Sequence, residues 1–413
     1  MNQHSTMATR SIPAHVDPAR VIEFNVFSDH RYADNAHPHD ALARLADDVG
    51  RGIFWSPYNG GHWVLNSHAL IFEAKRMPEI FSNIGVASLP PMPPELEPWM
   101  PPLGMDAPDH MKYRMPLMHA FSPERVRAME SEIRTLAAEL IDRFNNRGQC
   151  EFVDELAEPL PLIIFMRLMG MDVARLKEFR SWVKLMPSGV IEERTWAHRN
   201  INAMMGELIA ARRVKREDDL ISTLIDCEID GQKLDERQML GLSMLLFGAG
   251  LDTVTNTLSL AMEHIARDPA LQDRLRAEPH MIPEAVEELM RLYDVTISVR
   301  RVGKDAEFYG VTMKADDRVL LINANGDTDP AVYPNGTAFD LDRENKTHLV
   351  FGVGPHRCAG AHLARLEFRL FLEEWFRRMP NVRLDQSRPA TYRYTLLLSA
   401  ENLDLIWDPA QVT

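Results

Sequence analysis

The segment from about Asp235 to Arg267 reads as one long, largely apolar helix, stopped by Asp268-Pro269. At 1.5 Å per residue it would run on the order of 50 Å, enough to cross a whole domain. Its middle, LLFGAGLDTVTNT, fits poorly there, because two glycines and an Asp-Thr pair are weak helix formers. Two readings stand. A mid-helix threonine can bond back to the carbonyl four residues earlier and bend the helix. Alternatively, Gly248, Ala249 and Gly250 leave room for something bulky, with Asp252 and Thr253 setting an acid and a hydroxyl beside it.

A second stretch, HLVFGVGPHRCAGAHLARLEF at 348–368, places a lone thiol in a glycine-rich turn. Gly352 and Gly354 permit backbone conformations or close approaches that a Cβ would forbid, and Gly360 clears space beyond the sulfur. From Ala359 onward Leu363, Leu366, Leu370 and Phe371 recur at helical spacing. Cys358 thus sits at or just before a helix N-terminus, where free N–H groups and the helix dipole favour a thiolate. Zinc through His356, Cys358 and His362 would lack a second cysteine pair and a fourth ligand.

The other two cysteines lie far apart, Cys150 after NNRGQ and before a probable strand and Cys227 in the apolar stretch LISTLIDCEI, and both read as packing residues. Three cysteines make no disulfide framework. With a formal net charge of −14 the chain lacks the basic face that nucleic acid requires. No leader of signal-peptide pattern and no run of eighteen apolar residues is present, so no membrane span and a cytoplasmic location are expected.

The rest reads as mainly helical with short hairpins. WSPYNGGHWVLNSH at 55–68 predicts two strands around Asn59-Gly60-Gly61, residues 299–325 a strand-turn-strand region, and 391–407 a second hairpin. Helical patterns cover 123–146, 204–218, 268–279 and 283–293. Between 89 and 108 eight of twenty residues are proline, which suits either an extended linker or a stiff loop over a pocket.

Together these motifs resemble the cytochrome P450 superfamily of haem-thiolate monooxygenases. The pattern Phe351-Gly352-x-Gly354-x-His356-x-Cys358-x-Gly360 is similar to the family's haem-binding signature without a gap. Glu288-x-x-Arg291, with Arg343, is similar to its buried structural ion network, and Ala249-Gly250-x-Asp252-Thr253 to its oxygen-activation motif. NGGHW, AEPLPLIIFM, GLDTV and WDPA place the resemblance nearest the bacterial camphor-hydroxylase-like class I enzymes.

The resemblance implies a mainly α, triangular domain with a small β-rich region, spanning 1–413 as one unit although the length alone would allow two or three. It implies haem b with Cys358 as axial ligand, and Arg114, His110, Arg300 and His356 around the haem carboxylates. Ser298 stands where relatives carry an aspartate. Gly250, Phe351 and Gly360 would line the cofactor, and Asp252 and Thr253 would deliver protons. The implied pocket comprises Trp99, Leu245, Gly248, Thr296, Leu396 and Leu397. Camphor hydroxylases hold the ketone through a tyrosine in the loop equivalent to 82–105, which here has none. A small, less polar terpenoid or an ionone-like norisoprenoid is therefore expected rather than camphor.

No flavin or nicotinamide motif is present, so electrons would come from a [2Fe-2S] ferredoxin and its NAD(P)H-dependent flavoprotein reductase. Lys112, Arg114, Arg357 and Arg365 are the candidate basic patch for that partner, and a monomer is expected. A peroxide-driven enzyme or a haem-binding sensor is the alternative. The Asp252-Thr253 pair speaks against the first, and the lack of room for an output domain against the second.

Overall fold

The computed structural model describes residues 12–85, 88–90, 99–188 and 191–412. Residues 91–98, the centre of the proline-rich segment, lie outside this range.

A five-stranded sheet runs in the order Ile53–Ser56, His62–Leu65, Arg318–Ile322, Ile297–Val302, Phe81–Ser82. All its pairings are antiparallel except that between His62–Leu65 and Arg318–Ile322. The first hairpin turns through Asn59, Gly60 and Gly61, all at positive φ, as the sequence predicts. Its two strands are fully buried, because one core of Trp55, Trp63 and Val319 and another of Phe54, Val64 and Leu320 cover opposite faces. That burial matches the apolar content of the strands on both faces.

The expected long helix is two helices, Glu236–Gly250 and Asp252–Arg267, separated at Leu251. The two halves are buried in different cores. The upstream half gives Met239, Leu242, Leu245 and Phe247 to a core shared with helices Pro159–Met169 and Ile191–Val214. The downstream half gives Leu258, Met262 and Ile265 to a core shared with Glu130–Asp142, Ile282–Leu292 and Ala361–Arg378. Burial on each side holds the axis, while the weak helix formers let it break at the seam.

Two other expectations need correction. The 123–146 pattern is interrupted at Met129, which ends Pro123–Ala128 and precedes Glu130–Asp142. The 391–407 segment is only partly a hairpin: Thr391–Arg393 pairs with Ser399–Asn402. Asp404–Ile406 leaves it for a separate sheet with Gln149–Glu151 and Arg383–Leu384. Cys150 is buried in that sheet and Cys227 caps Leu220–Asp226, consistent with packing roles.

Candidate active site

Cys358 lies two residues before Gly360, which caps helix Ala361–Arg378. The turn is shaped by Gly352 and Gly354, at φ 64° and 76°. A Cβ on Gly354 would meet the Lys75 carbonyl at 2.6 Å, so only glycine fits there. The Cys358 amide donates to the Phe351 carbonyl at 2.7 Å and closes the turn. At Gly360 a Cβ would stand 3.9 Å from Cys358 Sγ, an ordinary contact that still narrows the approach to the sulfur.

Cys358 keeps an accessible face, yet the walls around it hold water back. This desolvation pushes its thiol up, against the Gly360 amide and the guanidinium groups of Arg114, Arg365 and Arg357. Desolvation thus opposes the preference for a thiolate that the helix end provides. A cation bound at the sulfur would supply the missing compensation, as it does for any coordinating thiol.

The broken helix belongs to the same region. Ala359 and Leu363 of the cysteine segment pack on the core containing Leu245, Phe247 and Leu251. Gly248, Ala249 and Gly250 are exposed directly after the buried residues Met244, Leu245 and Phe247, and a Cβ on Gly248 or Gly250 would find nothing within 4 Å. The stretch carries the geometry on which both sequence readings rest. Thr253 Oγ1 donates to the Ala249 carbonyl at 3.0 Å, and open space lies beside the glycines. Asp252 opens the downstream half, and desolvation together with nearby Glu158 raises its carboxyl to about 6, against Arg393.

Cationic groups gather near the turn. The rings of His110 and His356 lie 4.2 Å apart, and the Nε2 atoms of both lack a hydrogen-bond partner among the described residues. His356 Nε2 is 3.6 Å from Asp106 Oδ1. Desolvation lowers His110 to about 4, aided by His356 and Arg114, so it serves as a neutral hydrogen-bonding group. Among the described residues Arg300 bonds only the neighbouring Val299 carbonyl, and burial lowers it to about 10. Ser298 precedes it by two residues on the same strand and so shares its face. Arg114 reaches the Arg357 carbonyl. These orphaned donors and under-compensated cations, beside an accessible thiol and a glycine-lined space, fit a flat cofactor with carboxylate arms.

The pocket residues fall into separate groups. Thr296 bridges Leu397, and the Ile297 amide donates to the Leu396 carbonyl, so this wall packs with Leu260 of the downstream half-helix. Trp99 sits further upstream: its ring fills the space over Gly241 and lies beneath Arg237 at 4.7 Å.

Behind the turn, Glu288 accepts from Arg291 at 2.8 Å twice and from Arg343 at 2.9 Å. Glu288 and Arg291 are wholly buried. A neighbouring network escaped the sequence reading. Glu287 accepts two bonds from Arg365, at 2.6 and 2.9 Å, and lies 3.2 Å from His348 Nε2. Burial would raise the Glu287 carboxyl, but His348 and Arg365 hold it at about 2. Arg365 also covers the Phe351 ring at 4.4 Å. The only local sequence signal was the doubled glutamate of EELMR. The proposed basic patch changes accordingly: Arg365 is committed to Glu287, and Lys112 to Asp230 and Asp109. Arg357 stays exposed.

Comparison with known proteins gives a consistent result. The cytochrome P450 family model matches residues 144–391. The probable cytochrome P450 127A1 of Sinorhizobium fredii is 33% identical over 409 residues, 97% of each chain. A steroid C26-monooxygenase of Mycobacterium tuberculosis is 32% identical over 360 residues, 84% of this chain and 94% of that one. The crystal structure of CYP101C1 superposes with a TM-score of 0.88 at 31% identity, covering 96% of this chain and all of the other. CYP101J2 gives 0.87 at 31% identity, covering 96% and 99%. No helix among the described residues is long and apolar enough to cross a membrane. From the glycine-framed thiol to the end-to-end likeness of sequence and fold, these findings lead to one conclusion: the chain belongs to the cytochrome P450 family, monooxygenases that carry haem on a cysteine thiolate.

Proposed function

We propose that this P450 hydroxylates a small hydrophobic terpenoid or norisoprenoid of ionone type, working as one domain, with electrons from a [2Fe-2S] ferredoxin and its NAD(P)H-dependent flavoprotein reductase. The observation carrying the substrate reading is the open space at Gly248 and Gly250, set in an apolar helix and lacking a tyrosine in the described part of the neighbouring loop. When bound, haem supplies the activation of dioxygen that puts one oxygen atom into a substrate C–H bond.

The chain's own residues do the rest. Cys358 would hold the haem iron through its sulfur, and the Gly360 amide and nearby arginines would temper that charge. Arg114, Arg300, His110 and His356 would partner the haem carboxylates, with Ser298 in place of an acid. Asp252, raised to about 6, exchanges a proton with solvent near neutral pH. Thr253 Oγ1 donates to Ala249 and keeps lone pairs free to accept, so it can hold and pass that proton at the open face of the helix.

Leu245, Thr296, Leu396 and Leu397 present apolar walls, so ligand selection rests on burial, at about 25 cal/mol per Å². Trp99 packs on Gly241, two turns upstream of Gly248, and its stacking under Arg237 makes it a wall rather than a substitute ketone anchor. A lost ketone hydrogen bond costs camphor roughly 0.5–1.5 kcal/mol. For the electron donor, the absence of any flavin or nicotinamide motif and the exposed Arg357 beside Cys358 support a separate acidic carrier protein.

Two measurements test this. Cys358→Ser should abolish the red-shifted absorption band of the reduced carbon-monoxide complex, and its retention would overturn the ligand assignment. Titration of the haem spin state with β-ionone, camphor and a steroid should give the tightest binding and fullest shift for β-ionone. Preference for camphor, or for the steroid that the M. tuberculosis relative's name suggests, would overturn the substrate reading.

A further inference from the structure

Lys75 looks unremarkable in sequence, because a lysine in the last turn of a helix suits the dipole and usually projects into water. In the structure it is 6% exposed, near the end of His68–Arg76, whose Leu70, Ile71 and Ala74 are buried beneath the sheet. A lysine so buried is rarely left unpaired. Among the described residues, however, its ammonium has neither a hydrogen bond nor a carboxylate at salt-bridge distance.

Three groups act on it from further off. Arg300 repels it, while Asp294 and Asp327 attract it. The two aspartates are weak counterions: each is fully buried, and burial raises both carboxyls, Asp327 further through Asp294. Their Oδ1 atoms are occupied by the amides of Thr296 and Leu349.

The position of Lys75 shows where the missing anion belongs. Its Nζ would lie 3.9 Å from a Cβ on Gly352, and its carbonyl packs against Gly354. Lys75 therefore backs the turn that carries His356 and Cys358, within electrostatic reach of Arg300. The carboxylate that acts on Arg300 is Asp106, which already accepts from Ser82 and the Asn83 amide and lies 3.6 Å from His356 Nε2. Lys75 and Arg300 thus stand as two buried cations with no carboxylate at salt-bridge distance among the described residues.

We propose that Lys75 is a further anchor for the haem, its ammonium donating to one haem carboxylate beside Arg300. The inference rests on the haem-thiolate reading above. The rival role for Lys75 is an internal counterion to Asp294 and Asp327, and esterified haem separates the two.

The test is haem release from the holoprotein into excess apoglobin, followed optically, for wild type, Lys75→Met, Lys75→Gln and Lys75→Arg. Each is loaded with native haem or with its dimethyl ester, which lacks the carboxylate charges. With native haem, Met and Gln should release about tenfold faster than wild type, the scale of one charge-assisted hydrogen bond, and Arg should stay close to wild type. With the ester all four should coincide. A variant too weak to retain native haem, but loading the ester as wild type does, supports the proposal equally. Wild-type release of native haem by both Met and Gln overturns it. So does a gap that persists with the ester, or a variant loading neither haem, which would assign Lys75 to the aspartates. A wild-type protein without the red-shifted carbon-monoxide band would overturn the haem-thiolate reading itself, and this proposal with it.

Discussion

Replacing Glu288 by glutamine removes one charge from a site with no access to water. The carboxylate accepts from Arg291 Nε and Nη2, from Arg343 Nε and from the Asp340 amide, at 2.8 to 3.0 Å. A glutamine oxygen can keep only part of this set, and its NH₂ would face guanidinium donors. Two buried cations then lose their counterion, a change that typically costs about 3–5 kcal/mol. The damage would spread, because these guanidinium groups also hold main-chain carbonyls. Arg291 donates to Asp327 and Gly336, and Arg343 to Pro334. The carbonyls of Pro334 and Gly336 belong to the irregular segment that leads into the cysteine turn, and that of Asp327 ends the helix Asn323–Asp327 before it. Against a total stability of roughly 5–15 kcal/mol, the loss is a large share. The pH dependence has a definite sign. Burial would raise the Glu288 carboxyl, but Arg291 and Arg343 hold it below its ordinary 4.5. Its stabilisation is therefore complete above that ordinary value and is lost as pH falls through the lowered one. Urea unfolding at matched haem loading, followed by tryptophan fluorescence and far-ultraviolet circular dichroism, should show the full deficit at pH 7 and a smaller one in acid. A deficit under about 1 kcal/mol at pH 7, or one that widens on acidification, would refute the reasoning.

Thr253→Ala should retain substrate binding and electron uptake but send most electrons to hydrogen peroxide, checked as product formed per electron consumed. Asp252→Asn should slow turnover by about 10²-fold, and the wild-type rate should fall as pH rises through about 6 while the variant stays flat. Gly248→Leu meets open space, so it should leave thermal stability nearly unchanged yet weaken the spin-state response to β-ionone. The same change at Gly241, where a Cβ would meet Trp99 at 2.7 Å, should cost about 1–3 kcal/mol by overpacking.

Much of the site was legible because its signals are local. A thiol within a nine-residue glycine-framed turn, an acid and hydroxyl beside two glycines, and Glu288 three residues before Arg291 are all readable along the chain. The helical class and the first hairpin were legible for the same reason: periodicity and positive-φ turns act over a few residues. Distant pairings were not. The break at Leu251 depends on two cores gripping the two half-helices, and neither core is visible in one segment. Arg365 reads as a surface cation until the fold brings it to Glu287, 78 residues away, and pairs it there. Lys75 reads as solvated until the cysteine turn closes over it. Cys358 shows the division most plainly. Its helix-end position, read locally, favours a thiolate, while the walls assembled around it desolvate the sulfur and so oppose that preference until a cation binds there. Local geometry acts through backbone dipoles a few ångströms away, while desolvation sums over every atom that the tertiary fold brings near.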